Sequence, residues 1–151
     1  MGNTKSVRDI IQQTLQQIQQ SANNREMLVV FTISAGNQFS AIGESTIDGL
    51  IGLLYDTDEK IRILAMFYLG YLHQAKIMDV KRAIEPIRDS AAIRTTDMIY
   101  LTAGVALSWL DDSKGIEVKK AFMKNQGMQT DGEYNKGAMS TIIEYVAGVL
   151  H

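Results

Sequence analysis

The chain has 151 residues, a formal charge of -2 and an apolar content of 46%, which suits one folded domain with a core of its own. Its 15 basic residues are dispersed among 17 acidic ones, so composition gives no electrostatic footprint for nucleic acid. The absence of cysteine excludes disulfides, thiolate catalysis and thiolate metal sites. No apolar run is long enough to span a bilayer and no secretory signal pattern opens the chain, so a soluble, cytoplasmic protein is expected.

Residues 1–6, MGNTKS, are expected to be flexible. They match the N-myristoylation pattern, with Gly2 exposed after methionine removal and Ser6 four residues on. An ordinary chain start is the competing reading, because no second membrane signal accompanies the motif. From Val7 to Gln20 a narrow apolar stripe (Val7, Ile10, Ile11, Leu15, Ile18) is set among glutamines, as in a terminal helix with a polar outer face. Ser21 to Arg25 reads as a turn. The run MLVVFTIS, Met27 to Ser34, is the one candidate strand; it reads equally as a short buried helix stopped by Ala35, Gly36 and Asn37, which the neighbouring helical patterns favour. Gly36 to Glu44 reads as a loop.

Ser45 to Leu72 carries the clearest signal. Ile47, Leu50, Ile51 and Leu54 share one helical face, and Ile61, Leu64, Ala65, Tyr68, Leu69 and Leu72 repeat that spacing after the break YDTDEK. Thr57 is a candidate cap for the second helix, with Asp58 and Glu59 suited to its positive end. So short a connection predicts an antiparallel hairpin, with Ala65 and Gly70 small enough to allow close approach.

The wording of this segment, Leu53, Leu54, Asp56, Ile61, Arg62, Ala65, Leu69 and Gly70, resembles a HEAT repeat of the short bacterial and archaeal type. The resemblance implies that Asp56 and Arg62 pair as a structural ladder. Asp89, Ile93 and Arg94 imitate Asp56, Ile61 and Arg62 with one residue less between Asp and Arg.

The next first helix begins near Asp79 with Val80, Ala83, Ile84 and Ile87, and Pro86 is expected to bend it. Its partner carries Ile99, Ala103, Ala106, Leu107 and Leu110, each 38 residues after Ile61, Ala65, Tyr68, Leu69 and Leu72. A constant offset marks an internal repeat. Val118, Ala121 and Phe122 continue the offset of 38, and Met139, Ile142, Ile143, Val146 and Leu150 follow at 40 after a longer turn. The expectation is a single all-α domain over residues 1–151, a right-handed α-α superhelix of about four antiparallel hairpins near 7–36, 45–74, 79–111 and 115–151.

Stacked hairpins align equivalent positions into rows, here Phe67, Val105 and Tyr145, then Tyr71, Trp109 and Val149. In HEAT-like solenoids the second helices line the partner face, which would make Arg62, Met66, Phe67, Tyr71, Trp109 and Tyr145 partner-binding. The alternative is that the aromatic rows are ordinary core between hairpins. Lys114, Lys119, Lys120 and Lys124 give one helix a basic side, either a solvated face or a contact for an anion or nucleic acid. The only histidines, His73 and His151, have no spaced companions, so no metal or cofactor is expected; His73 suits a dipole contact at a helix end. Adjacent Asp111 and Asp112 diverge on a helix and suit ending one helix or capping the next. No catalytic constellation is apparent.

The first functional expectation is a non-catalytic protein-binding scaffold or adaptor with another protein as partner. Its degenerate end units either dimerise or cap a monomer. One alternative is a small helical subunit of a nucleic-acid complex. The other, implied by the resemblance, is an accessory or lyase-like HEAT protein, since some relatives handle tetrapyrroles or modified bases.

Overall fold

A computed structural model of the chain describes residues 5–149 and is all-helical, with no strand among the described residues. The acylation motif at Gly2, together with Leu150 and His151, lies outside the described residues. Eight α-helices follow one another: α1 Val7–Gln20, α2 Arg25–Ile42, α3 Ser45–Leu53, α4 Glu59–Gln74, α5 Ile84–Ala91, α6 Asp97–Trp109, α7 Ser113–Gln126 and α8 Asp131–Ala147. No described helix is long and apolar enough to cross a membrane.

Local chemistry accounts for the boundaries. Ser6 is already ordered as the cap of α1, its hydroxyl accepting from the Asp9 amide while Asp9 accepts from the Ser6 amide. Asp58, rather than Thr57, caps α4 by accepting from the Lys60 amide at 2.9 Å. Asp112 caps α7, and Asp111 just before it adopts a positive φ of 62° that ends α6. Pro86 does not bend a helix late in its course. A 3₁₀ turn over Lys81–Ala83 precedes α5, and Pro86 falls in the first turn of α5, where the missing N–H has no intrahelical partner to lose.

The stretch from Gly36 to Glu44 is not a loop. α2 runs on through it to Ile42, because Gly36 lets the Tyr71 ring lie against the helix: a Cβ there would sit 2.8 Å from Tyr71 Cε2. Thr46 then seals the end of α2 by donating to the Phe39 carbonyl at 3.0 Å.

α4 is the centre of the molecule, buried continuously from Ile61 to Gly70. It lies parallel to α6: Glu59 accepts from Thr96 at the amino ends, and a Cβ on Gly70 would meet Ala106 Cα at 2.7 Å near the carboxyl ends. α6 packs as closely on α7, where a Cβ on Gly104 would meet Val118 at 2.5 Å. α8 runs antiparallel to α2, α4 and α6. Its Tyr134 and Asn135 bond Ser108 and Trp109 at the end of α6, while Glu144 and Tyr145 reach Arg25 and Glu59 at the starts of α2 and α4. α8 also packs against α1, so the last described helix returns to the first. A one-dimensional stack, in which each hairpin touches only its neighbours, makes no such contact.

Candidate protein-binding face

The aromatic residues anticipated as a partner surface are core. Met66 and Phe67 are fully buried, Arg62 is 3% exposed and Trp109 7% exposed. The Phe67 ring stacks on Tyr71 at 5.7 Å and meets Trp109 edge-on at 5.9 Å. Trp109 Nε1 donates to Asn135 Oδ1 at 2.7 Å, which occupies its polar edge inside the fold. Tyr71 and Tyr145 are partly buried, and Tyr145 spends its hydroxyl on Glu59. The reason is the position of α4: with neighbours on every side, it presents no free row to a partner.

The Asp and Arg ladder also takes another form. Asp56 accepts from the Asp58 amide at 2.9 Å and pairs with Arg8 at 3.0 Å. The amide bond lowers the Asp56 pKa; burial opposes it, and Arg8 assists. Arg62 turns inward and donates to the carbonyls of Leu54, Ser90, Ile93 and Arg94. Carbonyls at helix ends lack intrahelical donors, and a planar guanidinium with five N–H groups can serve several of them at once. Arg94 thus contributes its carbonyl, at a positive φ of 50°, and no ion pair joins it to Asp89 among the described residues. Arg62 remains a rung between successive hairpins, but one built on carbonyls.

The four lysines of α7 do not form one face. Lys119 pairs with Asp131 at 2.8 Å and lies over the Tyr134 ring, Lys114 lines a cleft between α5 and α7, and Lys120 and Lys124 are exposed four residues apart. His73 Nδ1 accepts from the Val80 amide at 3.1 Å, closing the loop after α4. Among the described residues no group of three His, Asp or Glu side chains comes together that could hold a metal.

An exposed apolar surface lies on α2. After Arg25 and Glu26 the helix carries no charged residue through Ile42, and its apolar side chains fall on both faces. Leu28, Thr32, Ala35, Gly36 and Phe39 point into the core, where the Thr32 carbonyl accepts from the Tyr68 hydroxyl at 3.0 Å. On the opposite side Val29, Val30 and Ile33 are 56%, 51% and 45% exposed. A helix apolar all round is expected to be covered all round. Beside this ridge an open cleft of about 700 Å³ runs between α2 and α8, floored by Leu28, Met139 and Ile143 and rimmed by Arg25, Glu133, Lys136 and Glu144.

No family profile, curated protein or solved structure matches this chain.

From the sequence Met27 to Ser34 reads as a short buried helix, which leaves no exposed side to expect here. The available signal was the length of the uncharged run combined with apolar residues at consecutive positions, more than one buried face can absorb.

Proposed function

We propose that the chain is a non-catalytic protein-binding module that docks a protein on the face formed by α2 and α8. The observation that carries this reading is the exposed ridge of Val29, Val30 and Ile33 beside an apolar cleft with a mixed-charge rim. An apolar centre inside a polar rim is the usual anatomy of a protein interface, and Met128 and Met139 give the cleft walls that adapt to an incoming side chain. α2 and α8 are the second helices of their hairpins, so docking still uses second helices, though not the rows on α4 and α6. The HEAT-like kinship is kept for the hairpins α3–α4 and α5–α6, supported by the parallel packing of α4 on α6. α8 closes them into a ring with α1.

A photo-crosslinking amino acid at Val29 tests this reading in cells. Covalent adducts with protein, lost when Ile33→Glu is added, are expected. Absence of any protein adduct from Val29, with the variant folded, would overturn it.

A further inference from the structure

We infer that the occupant of the α2–α8 face is a second copy of this chain, related by a two-fold axis that sets the two α2 helices antiparallel. This rests on the docking reading above and names the partner.

An isologous interface must be complementary to itself, so one surface has to offer both a protrusion and the recess that takes it. The face has both: Val30 stands out beside the cleft, while Val29 and Ile33 form the near wall of the recess over Leu28, Met139 and Ile143. Beyond Glu26 α2 has no charged residue, so two copies meet there without like-charge repulsion.

The rim charges fit the same axis. α2 is antiparallel to α8 within one copy, as the Arg25 to Glu144 pair at 3.7 Å marks. A second α2 laid antiparallel to the first therefore runs parallel to that α8. Its Arg25 and Glu26 end then lies along the Glu133 and Lys136 end of the first copy, where the exposed Glu26 carboxylate faces the exposed Lys136 ammonium; Arg25 and Glu133 are engaged within each copy, with Glu144 and with the Thr130 amide. The two-fold repeats this match once more. A standard interface covers about 800 Å² per partner, and the 18 residues of α2 supply a contact line about 27 Å long.

Sedimentation equilibrium of the full chain is the test. The expected species has twice the 16.8 kDa chain mass, with a dissociation constant of about micromolar or tighter for an interface of this size. Val30→Glu, at an exposed position, is expected to weaken self-association about a hundredfold while the helical circular dichroism is kept. Glu26→Lys and Lys136→Glu, at exposed positions, are each expected to weaken it, and the two together to restore it. That rescue holds only if copies face each other in this register, and it decides the matter should Val30→Glu disturb folding. A single-chain mass at every concentration, a folded Val30→Glu with undiminished association, or failure of the double reversal to rescue would each overturn the inference. If the chain is monomeric while Val29 still crosslinks to another protein, only the second copy is wrong; if it is monomeric and Val29 crosslinks to nothing, the docking reading falls too.

Discussion

The Tyr145 hydroxyl donates to Glu59 Oε1 at 2.6 Å across 86 residues of sequence, and Glu59 Oε2 accepts from Thr96 at 2.5 Å. One carboxylate thereby ties the carboxyl end of α8 to the amino ends of α4 and α6. A hydrogen bond to a charged acceptor contributes about 1.5 to 3 kcal/mol when shielded, and less where water reaches it. Tyr145→Phe should therefore cost about 1 to 2 kcal/mol. Hydrogen exchange checks it: amides of α8 are expected to exchange about tenfold faster, with those of α4 little changed.

The same carboxylate sets an acid dependence. Burial works against its charge, but the hydrogen bonds from Thr96 and Tyr145, together with the nearby charges of Arg62 and Lys60, outweigh it and hold the Glu59 pKa below the ordinary carboxylate value. A depressed folded pKa contributes stability that is present above the unfolded pKa and is lost as pH falls through the folded one. The bond to Glu59, then burial, raises the pKa of Tyr145, so its contribution is present below the ordinary tyrosine range and is lost as pH rises through the folded value. Glu59→Gln should flatten the acid limb of a urea-midpoint profile, leaving the part due to Asp56, whose pKa is also lowered. An acid limb identical to that of the wild type would show that Glu59 is not linked to folding.

Arg62 is the most costly polar side chain to remove. Arg62→Ala strands the carbonyls of Leu54 and Ile93 and takes from the Ser90 carbonyl, which keeps the Ile93 amide, its second donor, and should destabilise by about 3 kcal/mol. Arg62→Lys is expected to recover only part of this, since a compact ammonium cannot span acceptors from two hairpin turns. Chemical denaturation of the three proteins gives the order directly; equal stability of Lys and Arg would refute the multidentate role.

Two glycines in helices should respond to alanine with opposite signs. A Cβ on Gly115 would stand 2.0 Å from the Ser108 amide nitrogen and 2.3 Å from the Leu107 carbonyl carbon, backbone that cannot rotate away. Gly115→Ala should cost at least about 2 kcal/mol by forcing α7 off α6. Gly52 is exposed in α3 with nothing within 4 Å of a built Cβ, so Gly52→Ala should stabilise by about 0.5 to 1 kcal/mol through helix propensity alone. Thermal melts of both variants provide the check.

Helices were legible in the sequence wherever one apolar face alternates with a polar one, as in Val7 to Gln20 and Ser45 to Leu72. The junction of α6 and α7 was legible at Asp111 and Asp112, whereas at α4 the cap is Asp58, one residue after the expected Thr57. α2 was misjudged in length because Gly36 ordinarily stops a helix, and only the distant Tyr71 ring explains why the helix passes through it. The offset of 38 put aromatic rows on α4 and α6, which pack together with Phe67 edge-on to Trp109, but periodicity gives a face without saying what covers it. That cover is shared by α2, where Gly36 receives the Tyr71 ring, and α8, which is tied to α4 by Tyr145 and Glu59. The same limit hid the exposed side of α2.

The contact of α8 with α1 has a consequence for synthesis. In an open stack each hairpin can settle on the one before it as it leaves the ribosome. Here the inner flanks of α1 and α4 wait for a helix that is made last among the described elements, and until residue 147 emerges they have only partial cover. The packing of α1 and α4 is therefore completed only once α8 has been made and has folded back on them.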